Sequence, residues 1–549
     1  MKLFISWRLR RAAKKFFGWP TLRPGQLPAM KTVASGRDAV VVLPTGAGKS
    51  AVYQVPASIA AGPTIVISPL LALQHDQVAN LNARGVAELA AVRISSAQTP
   101  KQQADALQQL RDGRARLLFI TPEQLASPQR VEQLRALKPA LVAVDEAHCV
   151  SSWGYDFRPD YLALGPAIEA IGRPPVVALT ATASPPVRED IAARLRLRHP
   201  RIVIGALDRP NLFLEAVRCQ TEEQRWRRLR SMLDGRDGSG IVYVPTRRAA
   251  EDLTARLTAA GYPAAFYHGG MAAGTRKKRH EEFAADQIPI MVATSAFGMG
   301  IDKPNIRWVT HMALPDSPDS YLQEIGRAGR DGAPARVLLL FRPEDMALQR
   351  FFAGGAPALD ELLFVAAAVH AGVKTKTEVA TKTNLPPRKV GALLNLLETV
   401  GAAALGGRGE VRCPAFAPTP EDAAVLAAAE HDRHQTLQRS RTDMMRQFAE
   451  TDACRVEPLL NYFGEQLGRA CGHCDNCGDG PRAATPRRKD QPFALHTVVR
   501  HGDWGRGTVL GYERDRMTVL FDDAGYKTLS VDLVRDNGLL VAETLEGTA

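Results

Sequence analysis

Short apolar runs recur along this chain and alternate with longer helix-compatible stretches. Residues 39–42, 64–68, 117–120, 141–144 and 176–179 form one such series. That alternation predicts a parallel sheet covered by helices. A second series opens at 240–244 and continues through 264–270 and 290–302, predicting a second unit of the same α/β class. Beyond residue 351 the pattern changes. Residues 358–371 suit a helix, 375–383 and 386–400 a helix-turn-helix-like pair, and 406–412 a short hairpin. Near the end, 498–510 and 516–521 alternate with period two between glycine-containing turns, and 526–534 closes a small β-barrel.

A length of 549 residues allows several such units, at about 150 residues each. The net charge of +12 favours a polyanionic partner such as nucleic acid. Arg8, Arg10, Arg11, Lys14 and Lys15 crowd the N-terminus without the apolar stretch of a secretory signal. No run approaches the ~18–20 apolar residues that span a bilayer. The expectation is a cytoplasmic protein, nucleoid-associated if bacterial, with no membrane partner.

The first chemistry lies in Leu43-Pro44-Thr45-Gly46-Ala47-Gly48-Lys49-Ser50, between an apolar run and a helix-compatible segment. A bare Gly-Lys turn also opens ordinary helices, but strand-to-helix context favours a phosphate loop. Gly46 and Gly48 let the backbone curl, Lys49 suits the β- and γ-phosphates of ATP, and the Ser50 hydroxyl suits Mg²⁺. Asp145 and Glu146 follow the run 141–144. At the end of a buried strand, Asp145 is placed to hold Mg²⁺ and Glu146 to polarise the attacking water. Upstream, residues 17–26 bring Trp19, Arg23 and Gln26 to a candidate adenine site: an amide matches a base edge, and an aromatic ring or guanidinium covers its face.

After the acidic pair comes an aromatic-rich stretch, 149–161, in which Trp153 and Phe157 suit base stacking and Arg158 a phosphate. This stretch resembles the loop that follows the acidic box in RecQ-family DNA helicases. Residues 17–26, 68–78, 121–125 and 179–183 resemble further motifs of that family, with Trp19, Arg23 and Gln26 at matching places, and Thr45 of the phosphate loop is counted with the ATP-binding residues. Ala47, where glycine is common, and Tyr155, where histidine is common, depart from it. The second series resembles the second RecA-like lobe of superfamily-two helicases. Its last motif, 321–332, implies an arginine finger at Arg330, with Arg327 beside it and Gln323 sensing the γ-phosphate.

Residues 351–415 resemble a winged helix, inserted where the family's zinc module normally follows the motor directly. Cys454, Cys471, Cys474 and Cys477 then offer four thiolates for a closed, structural Zn²⁺ site, with His473 a bystander among them. Cys149, Cys219 and Cys413 read as ordinary. The last segment resembles the SH3- or Tudor-like barrel of UvrD-type helicases, a fold that often docks protein partners. The expected domains are lobe 1 at 1–205, lobe 2 at 206–350, the winged helix at 351–415, a helical zinc module at 416–480, a basic linker at 481–491 and the barrel at 492–549. The resemblance implies an ATP-dependent 3′–5′ helicase acting on single-stranded and duplex DNA in repair or recombination. A DNA-stimulated translocase with weak unwinding is the main rival, an RNA helicase or a non-enzymatic DNA scaffold the lesser ones.

Overall fold

The computed structural model describes residues 2–69, 71–151, 161, 163–234, 238–297, 303–347, 356–406, 409–467, 470–478 and 491–543. Lobe 1 contains strands β1 (Ala39–Val42), β2 (Thr64–Ile67), β3 (Ala91–Ile94), β4 (Leu117–Ile120), β5 (Leu141–Val144), β6 (Val176–Thr180) and β7 (Arg201–Ile204). They form one parallel sheet in the order β3-β4-β2-β5-β6-β1-β7. All four residues of β1 are buried, because alternate side chains feed two different cores. Val40 and Val42 join one cluster with Ile65, Ile67, Val142 and Val144. Ala39 and Val41 join the other with Val66, Ala143 and Leu179. A strand covered on both faces by helices has no polar side, which is why these runs are apolar throughout.

Lobe 2 repeats the plan with β8 (Leu212–Arg218), β9 (Ser239–Tyr243), β10 (Ala264–Tyr267), β11 (Ile290–Ala293), β12 (Ile306–His311) and β13 (Ala335–Phe341). Its parallel order is β10-β11-β9-β12-β13-β8, which leaves β8 at an edge. The cysteine-bearing segment covers that edge. Leu214 donates to His473 O at 3.0 Å and accepts from the Asp475 amide at 2.9 Å, extending the sheet by one bridge. Otherwise-unpaired strand groups are thereby satisfied.

Helices Leu359–His370, Lys376–Thr383 and Pro387–Thr399 precede a hairpin of β14 (Ala404–Leu405) and β15 (Val411–Arg412). They share a separate core around Leu362, Val365, Val390, Leu394 and Leu397. The 31-residue helix Pro420–Glu450 links this core to the motor. Its Ala423, Ala424 and Ala427 belong to the small core, whereas Met444, Met445 and Phe448 belong to the core of the lobes. A Thr419 side chain accepting from the Asp422 amide at 3.2 Å starts it, a cap that contributes about 1 kcal/mol.

Strands β16 (Val498–His501), β17 (Gly505–Glu513), β18 (Arg516–Phe521), β19 (Gly525–Ser530) and β20 (Val541–Ala542) form an antiparallel sheet in the order β19-β18-β17-β16-β20. Of the closing segment expected over 526–534, the strand β19 reaches only Ser530, and Val531–Asp536 is a helix. Val531 and Val534 lie one helical turn apart and are both buried, with Asp532 in the first turn and Arg535 in the last, matching the helix dipole. The sheet is docked on the preceding helices. Asn461 Nδ2 donates to Tyr512 O at 3.1 Å and Thr528 Oγ1 to Gln447 Oε1 at 2.8 Å. Nearly all of the expected linker, residues 481–490, lies outside the described residues. Among the described residues no helix is long and apolar enough to cross a membrane.

Candidate active site between the lobes

The phosphate loop leaves β1 at Leu43 and enters the helix Ala51–Ala57. Gly46 and Gly48 have φ of 84° and 76°, the left-handed region that glycine enters without strain. Among the described residues, the amides of Gly46, Gly48, Lys49 and Ser50 donate to no backbone carbonyl. Such unspent N–H groups at a helix start form an anion cradle. Ser50 makes no side-chain cap bond, so its hydroxyl is not committed to the helix. Lys49 Nζ donates to Leu43 O at 3.3 Å. Burial lowers the Lys49 pKa, Glu146 and Asp145 oppose that shift, and Arg330 and Arg327 add to it.

The candidate adenine residues sit on this loop. Gln26 Nε2 donates to Ala47 O at 3.1 Å and Gly48 O at 3.0 Å, while its Oε1 accepts from the Arg23 amide at 2.8 Å. The Arg23 guanidinium donates to Gly46 O, and Trp19 stacks on Phe17 at 4.5 Å. Thus the edge-reading groups of Gln26 are engaged with the loop itself.

Asp145 and Glu146 stand at the carboxyl end of β5, the usual place for a site in a parallel sheet. Burial, then the charge of Glu146, pushes the Asp145 carboxyl up to about 7, against the pull of Lys49. Glu146 occupies the left-handed region at φ 49°, a costly backbone for a non-glycine residue, and its amide donates to Asp145 Oδ1 at 3.0 Å. His148 Nδ1 lies 3.4 Å from Glu146 Oε2 and 3.0 Å from Thr180 Oγ1. The acidic pair is thereby tied to the 179–183 motif at the end of β6.

Lobe 2 closes the other side. Its helix Pro318–Ile325 is capped by Ser317, carries Gln323 and leads to Arg327 and Arg330. A Cβ placed on Gly46 would lie 3.3 Å from Arg330 Cγ, and one on Gly326 would lie 3.0 Å from Thr45 Cβ. The two lobes are therefore in contact at the phosphate loop. Arg209 holds the arginine-bearing turn, donating to Gly326 O at 3.1 Å, Ala328 O at 3.0 Å and Gly329 O at 2.7 Å. Asn211 Nδ2 adds bonds to Gly329 O at 2.9 Å and Ala333 O at 3.0 Å. Neither Arg209 nor Asn211 emerged from the motifs. The polar cluster Asp208-Arg209-Pro210-Asn211 between two apolar series was the available signal. Trp153, Phe157 and Arg158, the expected DNA contacts, lie outside the described residues, as does Tyr155.

The four late cysteines converge, with all Sγ atoms within 4.8 Å of one another and 3.8 Å between those of Cys471 and Cys477. Tetrahedral zinc with Zn–S of about 2.3 Å requires S–S edges of about 3.8 Å, so this donor set fits. His473 is turned away from the thiolates. Its Nε2 lies 2.9 Å from Asp208 Oδ1 and its Nδ1 2.8 Å from Cys471 O. Arg455 pairs with Asp475 through Nη2 at 2.9 Å and donates to Phe448 O at 3.0 Å, fastening the cysteine turn to the long helix.

Residues 23–191 match the family model for DEAD/DEAH box helicase, 224–332 that for helicase conserved C-terminal domain, and 421–478 that for RecQ zinc-binding. The ATP-dependent DNA helicase RecQ of Bacillus subtilis is 33% identical over 487 residues, which span 88% of this chain and 69% of that protein. The chain belongs to the RecQ family. RecQ of Haemophilus influenzae is 34% identical over 501 residues, covering 88% of this chain and 68% of that one. A solved structure of Mycobacterium smegmatis helicase Lhr bound to ssDNA and AMP-PNP aligns with a TM-score of 0.51 at 20% identity, over 78% of this chain and 61% of the other. That likeness is one of fold. In this RecQ-family chain the phosphate loop, the acidic pair and the Gln323–Arg330 segment fall inside the motor matches, Trp19, Arg209 and Asn211 fall outside them, ATP is the nucleotide and zinc the structural metal. The three helices at 359–399 fall between the second and third matches.

Proposed function

We propose that this chain is an ATP-dependent DNA helicase that couples hydrolysis of ATP to ADP and phosphate to 3′-to-5′ movement on single-stranded DNA, opening duplexes in repair and recombination. The observation that carries the reading is the meeting of Arg330 with the Gly46 turn of the phosphate loop, which completes the site only when the lobes are apposed. Lys49 neutralises the β- and γ-phosphates, and Glu146 takes a proton from the attacking water. His148 orients that carboxylate through the contact at 3.4 Å. Arg330 and Arg327 stabilise charge developing on the γ-phosphate, with Gln323 sensing its presence. Ser50 and Asp145 are the residues that would hold Mg²⁺, which when bound supplies Lewis-acid stabilisation of the phosphate oxygens. Reading adenine requires Gln26 to release at least one loop carbonyl, which links base recognition to the shape of the phosphate loop.

On this reading hydrolysis removes the charge that Arg330 faces, the cleft opens, and the strand advances. Trp153 and Phe157 stack on bases and Arg158 meets a phosphate. The domain limits are those expected from the sequence, the 351–415 segment is a winged helix, the protein works in the cytoplasm at the nucleoid, and the barrel presents a protein-docking face. Family membership and the ordered motor motifs support the direction of travel. The test is unwinding of a duplex with a 3′ single-stranded tail against one with a 5′ tail, with ATP consumption followed in parallel. Selective opening from the 3′ tail is expected. DNA-stimulated hydrolysis without strand separation would favour the translocase reading.

A further inference from the structure

Three bodies meet where lobe 1 enters the helix Pro185–Arg194. Arg188 is 8% exposed and donates to Phe463 O at 3.4 Å. At the next residue, Gly464, φ is +74°, and a Cβ would lie 3.0 Å from Pro185 Cγ and 2.9 Å from His496 Cε1. Lobe 1, the zinc module and the entry to the barrel therefore touch at one turn. On the far side of that turn the Tyr462 hydroxyl donates to Asp319 Oδ2 of lobe 2, and the Tyr462 ring stacks on Tyr526 of the barrel at 4.5 Å. The Tyr526 hydroxyl is buried without a hydrogen-bond partner among the described residues, so this residue engages the turn through its ring. Arg441, on the long helix, faces Asp319, Tyr462 and Tyr526. Arg441, Asp319, Tyr462 and Tyr526 are each no more than 4% exposed.

Both ends of this cluster lie one short element from the chemistry. Pro185 follows the 179–183 motif, whose Thr180 meets His148, and Asp319 opens the helix that leads to Arg327 and Arg330. A buried Arg–Asp pair contributes little net stability compared with apolar packing, so its value lies in the geometry it imposes. Burial raises the Asp319 carboxyl, opposed by Arg441 and by the bond from Tyr462.

We propose that Arg188, Tyr462 and Tyr526 are positioning residues of a latch, with the zinc module and the barrel as its jaws, that holds the two motor lobes apposed. The inference rests on the ATPase reading above and adds to it that the barrel sets how readily the cleft closes. A weaker latch leaves less protein in the closed form, which lowers apparent ATP affinity by that fraction and spares the chemistry.

The test uses the full zinc-loaded chain with Tyr526→Leu, which removes the stacked ring, and Arg188→Gln, singly and together. With saturating single-stranded DNA, the KM for ATP should rise about 3- to 10-fold in each single variant while kcat stays within about twofold. The double variant should match the larger single effect, because both residues act through one latch. Small-angle scattering without nucleotide should show a larger radius of gyration in both variants. Unchanged radius and unchanged KM in both would overturn the latch, as would a fall in kcat at constant KM. Scattering reads the latch without turnover, so an inactive wild-type chain would sink the ATPase reading alone.

Discussion

The two lobes share a parallel-sheet plan, yet they bring opposite equipment to the cleft between them. Lobe 1 holds the unspent amides of the phosphate loop, Lys49 and the acidic pair, with the Asp145 carboxyl pushed up by burial and by Glu146. Lobe 2 has no phosphate loop, and the turn after its helix Pro318–Ile325 instead supplies two cations, fixed from behind by Arg209. Lobe 1 cradles the nucleotide, while closure of lobe 2 on the same loop tightens that grip and, through Arg330, completes the site. A reaction divided this way is fast only when the lobes meet, so each turnover is bound to a movement of one lobe against the other.

The sharpest way to break that contrast is to remove a group from each side. Lys49→Ala, on the binding lobe, should abolish hydrolysis and weaken nucleotide binding together, as read by turnover and by fluorescent-nucleotide titration. Normal turnover in the folded variant would refute the assignment. Arg330→Ala, on the completing lobe, should lower kcat by about 10³-fold and leave ATP affinity within a few-fold. A smaller effect comes from pH. With its carboxyl pushed up to about 7, Asp145 is largely protonated below that value and ionised above it. Apparent Mg²⁺ affinity in nucleotide binding should therefore fall by up to about tenfold per unit as pH drops below about 7, and level off above it. Magnesium titrations across that range check the sign, and a flat profile would remove Asp145 from the metal site.

Local chemistry was the readable part. The phosphate loop, the acidic pair and the cysteine turn each declare themselves within a few residues, because their backbone geometry or ligand spacing is short-range. Strand β8 escaped, since LFLEAVR mixes charge into an edge strand whose partner β13 lies more than 100 residues away. Arg209 and Asn211 escaped for a similar reason, as the carbonyls they clamp are at 326–333. His473 sits among cysteines in the chain and beside Asp208 in space, a choice that only the tertiary fold makes. Gln26 was read as an adenine contact from its place before the loop, and the folded chain engages its amide with Ala47 and Gly48. The strands of the C-terminal antiparallel sheet were legible from their period-two pattern, but its docking on Tyr462 and Asn461 was not, because those partners lie on a helix of another module.

The measurement that tests the shared site most directly is ATP affinity and single-turnover hydrolysis on one sample of Arg330→Ala, with saturating single-stranded DNA. If the lobes divide binding from completion, affinity stays near that of the wild-type chain while the hydrolysis rate falls by about 10³-fold. Hydrolysis within about tenfold of wild type, or loss of binding in step with the rate, would contradict the division.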